Sequence, residues 1–188
     1  DVLVKLQVDL KAIGNSIEKG NWKEAQNLYH EAKVNYKSAE YLIEYYHHTA
    51  VNTFINGAPL PKIEENVTDV RIIEPQGFQR LEEVLFEEEP SKEDALWVMK
   101  QFDIQLPPIT YYHPRLAAYD RNIIEAARYE LIRIMALEVT GFENPVNTDL
   151  TIEQTQAAFN GLASLSKHYA SQISEAKTNQ IIHLFKQG

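Results

Sequence analysis

Apolar residues recur along this chain at alternating steps of three and four, the spacing of amphipathic helices rather than strands. Leu3, Leu6, Leu10, Ile13 and Ile17 form the first stripe, and Gly20 ends it. Asn21 followed by Glu24 reads as an N-cap with its capping-box partner, so a second helix starts at once and returns as a helical hairpin. Its stripe runs from Trp22 through Tyr29, Tyr36, Ile43 and Tyr46 to Phe54 and predicts one helix of about 50 Å at the usual rise per residue. Alanines alternate with rings over much of that stripe, which lets neighbouring backbones approach while the rings fill the gaps. The string GNWKEAQNLYHEA has a tetratricopeptide flavour, but no second copy follows at a suitable spacing.

Between Asn56 and Pro75 the pattern lapses, punctuated by Gly57, Pro59 and Pro61. This long connection leads into RIIEPQGFQRLEEVLF at 71–86, where Phe78, Leu81 and Leu85 predict a short helix. Its Gln79 and Glu82 lie three apart and so share one face, a spacing suited to satisfying buried polar groups between helices. The acidic turn ending at Pro90 follows, and Ser91 with Asp94 starts another helix, which Pro107-Pro108 is expected to end or kink. Pro114 is expected to open the next, with a stripe from Leu116 and Tyr119 through Ile123, Ala127 and Leu131 to Ile134. Gly141 and Asn144-Pro145 mark a turn, Thr151 with Gln154 a further capping box, and Ala158, Leu162, Leu165, Tyr169 and Ile173 a last long stripe. The chain ends on Ile181, Ile182, Leu184 and Phe185, an apolar cluster expected to be covered by a partner. The predicted fold is all-α: one domain over 1–188, an antiparallel bundle of long helices with one irregular connection and a short motif helix.

At 188 residues the chain is long enough for a substantial core. Its 18 basic and 27 acidic residues give a formal charge of −9, without the basic run that tracks a phosphate backbone, so nucleic acid is not expected as a partner. No stretch reaches the ~18 apolar residues of a membrane span, so the piece is expected to be soluble. No GxSxG setting or glycine-rich phosphate loop is present, and cysteine is absent, which removes thiolate chemistry and any CxxCH haem attachment.

The six histidines form no HxxxH or HxxE spacing, and His47 and His48, being adjacent, can send at most one ring inward. Glu40 and Glu44 lie one turn apart on the long helix, and Glu40 facing Glu82 across a bundle would make a hard-cation or iron site of the kind four-helix bundles build from inward glutamates. The ten tyrosines at helical spacing predict core rings with hydroxyls at the rim.

Two segments carry a family resemblance. Lys33 to Glu40, KVNYKSAE, resembles the K/R-x-x-Y-x-x-x-E stretch of the imelysin family, and Gly77 to Glu82, GFQRLE, resembles its GxHxxE signature. That resemblance implies an all-helical, exported bacterial protein associated with iron uptake, with a metal or ligand site at Gly77, Gln79 and Glu82 and with Glu40 beside it. Gln79 stands where the family has histidine. The strings FINGAPLPKIE, IEPQGFQRLEEVLF and AFNGLASLSKHY are also similar to the helical region preceding the di-haem cytochrome c peroxidase module of Bacteroidetes proteins. This second resemblance implies a non-catalytic periplasmic accessory domain at the N-terminal end of a longer chain, with haem c and the redox chemistry in the C-terminal haem module of the parent. A stand-alone iron binder using Glu82 and Glu40, and a helical interaction scaffold without ligand, are the alternatives.

Overall fold

A computed structural model describes residues 2–57, 61–62, 71–72, 74–116, 119–138, 149–169 and 175–187. The all-α expectation holds. Helix α1 (Val2–Glu18) and helix α2 (Trp22–Lys37) form the predicted hairpin around Gly20. All five residues of the first stripe are buried, packed on α2 and on α5 (Lys92–Tyr112). Asn21 makes no capping bond to the backbone; its amide meets the Glu24 carboxylate at 3.3 Å. The Ser91 cap does form, with Oγ accepting from the Asp94 N–H at 3.2 Å.

The single 50 Å helix is corrected. It breaks after Lys37, and α3 runs from Glu40 to Ala50 before a π-helical turn, Val51–Ile55. Ser38 diverts its hydroxyl to the Asn35 carbonyl at 2.7 Å, competing with the helical ladder. Helix α7 (Asp149–His168) crosses at this break, with Gly161 so close to Ser38 that a Cβ there would collide with the Ser38 carbonyl oxygen. α3 kinks again at His47, where φ −127° and ψ 31° leave the helical range.

The irregular connection contains two short antiparallel ladders. β1 (Asn56–Gly57) pairs with β4 (Gln76–Gly77), and β2 (Pro61–Lys62) pairs with β3 (Arg71–Ile72). The first ladder delivers the chain into α4 (Phe78–Leu85), the predicted motif helix, whose Phe78, Leu81, Val84 and Leu85 are buried against α2 and α5.

The proline pair does not end α5, which continues to Tyr112. The carbonyls that lose their donors belong to residues 103 and 104, both on the exposed face where water can serve them, and the Thr110 hydroxyl donates back to the Leu106 carbonyl at 3.0 Å. Pro114 lies in a 3₁₀ turn, His113–Arg115, and α6 begins only at Asp120. Leu116 and Tyr119, placed on the inward stripe by spacing, are exposed and precede α6; Ala127, Leu131 and Ile134 of the same stripe pack into a small core, and Ala126, Glu130 and Arg133 are buried as well. Another π-helical turn, Ile134–Glu138, follows α6.

Gly141, Asn144, Pro145 and Ile173 lie outside the described residues. Thr151 falls inside α7 rather than at its cap, and Gln154 is buried. Ala158 and Leu162 form a second small core with Ile134, against which Tyr41, Phe159 and Phe185 pack. The terminal apolar cluster is therefore covered in part from within the chain: α8 (Glu175–Gln187) lies on α7, with the Phe159 and Phe185 rings 6.0 Å apart, and only Leu184 of the four is exposed. Among the described residues no helix is long and apolar enough to cross a membrane.

Candidate functional site

The core of this bundle is not wholly apolar. Tyr29, Lys33 and Lys37 follow one another at steps of four on α2, so they share one face, and all three are buried. The first two converge on Glu82 of α4. Tyr29 Oη donates to Glu82 Oε2 at 2.8 Å and Lys33 Nζ to the same oxygen at 3.0 Å, with both charged side chains fully excluded from solvent. Lys37, one turn on, donates to Glu40 Oε2 at 2.7 Å. Glu40 Oε1 accepts from Asn56 Nδ2 at 2.9 Å and faces Arg133 Nη2 at 3.3 Å, while Arg133 Nη1 reaches Glu44 Oε2 at 2.5 Å.

Five elements are tied by these groups: α2, α3, α4, the β1 strand and α6. Ionised groups withdrawn from water are costly unless paired and hydrogen-bonded, and here each carboxylate meets both a cation and a neutral donor or a second cation. The motif around Gly77 is held by backbone geometry. Gly77 has φ +61° and ψ −124°, and its α-carbon lies so close to the Ile55 carbonyl that no side chain fits. That approach aims α4 so that Phe78 packs on Tyr29, Tyr36 and Phe102 while Glu82 points at α2.

Sequence reasoning placed Glu82, Glu40 and Gln79 in one region, and the structure buries all three. Glu82 and Glu40 are carried by Lys33 and Lys37, neighbours on one face of α2. An ammonium stands beside each carboxylate where a cation ligand would bind. The Gln79 amide is buried, and neither its oxygen nor its nitrogen meets a hydrogen-bonding group among the described residues. No set of three or more His, Asp and Glu side chains is placed to hold a metal ion among the described residues.

Spacing alone missed Lys33, Lys37 and Arg133. Lysines beside an apolar stripe normally extend their stems along it and expose the ammonium. The available signal was that Tyr29, Lys33 and Lys37 repeat at four with Glu40 three residues further on, an intrahelical register for cation and carboxylate.

Two further features flank this centre. A cleft of about 530 Å³ opens between α3 and α6, lined by Tyr41, Tyr45, Tyr129, Ile132, Glu130 and Arg133. Burial and the nearby Glu130 push the Tyr41 hydroxyl above its ordinary range, and at the rim Tyr45 donates to Glu125 at 3.1 Å. On the other side of the kink, His47 lies against His113, with ring centroids 5.4 Å apart. Glu44 and His47 have the three-residue spacing of a Glu-x-x-His pair, but the non-helical His47 backbone separates them: Glu44 bonds Arg133 and the His47 ring turns to His113.

Burial lowers the proton affinity of His47, helped by His113 nearby, and burial alone lowers that of His113, both from an ordinary value of 6.5. The unfolded chain therefore takes up these protons before the folded one. Stability contributed by the neutral pair is complete above pH 6.5 and is lost as pH falls below it. Denaturant midpoints recorded in chelator-treated buffer between pH 7.5 and pH 5, marking about the span of an ordinary histidine titration, are expected to fall on acidification. The fall should be shallower in His113→Gln. An identical profile in that variant would assign the acid sensitivity elsewhere.

The folded chain is thus an all-α bundle domain built on a buried lattice of cations and carboxylates. No protein-family model matches it, and no curated protein matches it significantly.

Proposed function

We propose that this chain is a non-catalytic, imelysin-like accessory domain of a periplasmic di-haem cytochrome c peroxidase-type protein, docking on the haem module of the same parent chain or shaping its access to an electron donor. The observation that carries the non-catalytic part is the pairing of Glu82 with Lys33 and of Glu40 with Lys37 in the core, which makes the GFQRLE segment a structural keystone. Groups engaged in this way hold α2, α3 and α4 together and offer no acid, base or nucleophile to a substrate.

The parentage rests on the three similar strings. FINGAPLPKIE and IEPQGFQRLEEVLF are joined through the β1–β4 ladder, and AFNGLASLSKHY brings Gly161 onto Ser38, where α2 gives way to α3. Cysteine is absent, so a c-type haem has no thioether attachment within these residues and its redox chemistry falls to the parent's haem module.

The test is made on the product of the intact gene. Reading the frame beyond Gly188 is expected to reveal two CxxCH motifs, and the purified protein is expected to show the absorption bands of covalently attached haem. A reading frame that closes without CxxCH, or a full-length product with no haem bands, would overturn the assignment.

A further inference from the structure

Three buried polar atoms at the kink of α3 have no hydrogen-bonding partner among the described residues: His47 Nε2, His113 Nδ1 and Tyr46 Oη. They belong to one contact. The Tyr46 and His113 rings lie 6.2 Å apart edge to face, and the His47 and His113 rings lie 5.4 Å apart at an interplanar angle of 42°. Buried donors and acceptors are normally paired, so three around one contact point to a shared occupant. The backbone adds a second sign. His47 leaves helical φ/ψ, and a π-helical turn starts four residues later, a type of irregularity frequent at functional sites.

The ring separation has room for a metal ion as that occupant. A zinc ion sits about 2.0–2.1 Å from an imidazole nitrogen, which is itself about 1.2 Å from the ring centre, so two imidazoles at a tetrahedral angle have centres about 5.2 Å apart. The observed separation is 5.4 Å. Direct hydrogen bonding between two neutral imidazoles would fill one donor and one acceptor, yet neither nitrogen makes such a bond.

We propose that His47 Nε2 and His113 Nδ1 form a binding site for a borderline-soft divalent cation, zinc or copper(II), joining α3 to the 3₁₀ turn that follows α5. The site stands apart from the buried carboxylates and holds whichever parent chain carries the domain. Water completes the coordination sphere, and the Tyr46 hydroxyl supplies a hydrogen bond to it. Two protein ligands make an open site with replaceable water. The ion staples a kinked helix end to a turn, and it is sensitive to chelators and to acid because protonated imidazole does not bind metal.

The test uses chelator-treated protein titrated with zinc chloride and followed by calorimetry and thermal melting. Saturable binding of about one ion is expected, with an increase in Tm that grows with zinc concentration by mass action. His47→Gln and His113→Gln should each weaken binding at least tenfold, whereas His48→Gln, at an exposed neighbour, should leave it unchanged. Long-range ¹H–¹⁵N spectra of the histidine rings provide a readout independent of stability: zinc should shift His47 Nε2 and His113 Nδ1 specifically. Zinc binding retained in both ring variants, no saturable binding in the unsubstituted protein, or shifts confined to other histidines would each overturn the proposal.

Discussion

Glu82→Ala is expected to lower the melting temperature by about 10 °C, because breaking a buried ion pair from one side costs about 3–5 kcal/mol and each kcal/mol is worth roughly 2–4 °C in a domain of this size. The substitution removes an acceptor that holds the Tyr29 hydroxyl at 2.8 Å and the Lys33 ammonium at 3.0 Å. Tyr29 has an alternative in the Phe78 carbonyl, 3.2 Å from its hydroxyl. Lys33 is fully buried and its ammonium loses the carboxylate that balances it. Most of the loss should therefore come from burying the Lys33 ammonium without the Glu82 carboxylate. Pairing Glu82→Leu with Lys33→Met checks this: the double variant should recover most of the stability lost in Glu82→Ala, since replacing both members of a buried pair with apolar groups is often neutral or stabilising. A double variant no more stable than Glu82→Ala would show that the carboxylate matters for something other than balancing Lys33.

Gly77→Ala should be more severe, costing more than about 4 kcal/mol and shifting the denaturant midpoint accordingly. Position 77 combines φ +61° with ψ −124°, a region that side chains avoid, and the new methyl group would meet the Ile55 carbonyl and lie 2.6 Å from the Phe54 carbonyl oxygen. Those are backbone atoms of the π-helical turn and cannot swing aside as a side chain does. The β1–β4 ladder would have to separate, and α4 would lose the alignment that sends Glu82 to Lys33. Gly20→Ala is the control. It too has a positive φ, 74°, but nothing lies within 4 Å of its added carbon, so only the conformational cost of about 1 kcal/mol remains. Equal effects at the two positions would show that the close approach at Gly77 contributes nothing.

The two substitutions separate what a repeating pattern reveals from what it conceals. α1, the hairpin at Gly20, the Ser91 cap and the motif helix were all legible, because each is decided by neighbours within a few residues. Glu40, Gln79 and Glu82 were recognised as members of one region, and they are buried together with the residues that link α2, α3 and α4. The cations opposite them were not legible. Apolar stripes identify a buried face only where that face is apolar, and α2 and α6 bury Lys33, Lys37, Glu130 and Arg133. Leu116 and Tyr119, expected on the inward stripe, are exposed because they lie ahead of α6, which begins only at Asp120. The break at Ser38 was hidden for a related reason: α7 crosses there, with Gly161, more than a hundred residues away, close against the Ser38 carbonyl.

By itself, the order of residues determined the helical class, the hairpin, the short motif helix and the chemistry that the absence of cysteine removes, because periodicity, turn residues and composition act locally or act on the whole chain at once. Only the tertiary structure decided that Glu82 is held by Lys33, that the long second helix is two, and that His47 meets His113. Each of those depends on a distant segment supplying a charge, a collision or a ring. A carboxylate in a sequence carries no mark of which side chain the fold will bring within hydrogen-bonding distance, here Lys33 at 3.0 Å from Glu82 and Lys37 at 2.7 Å from Glu40.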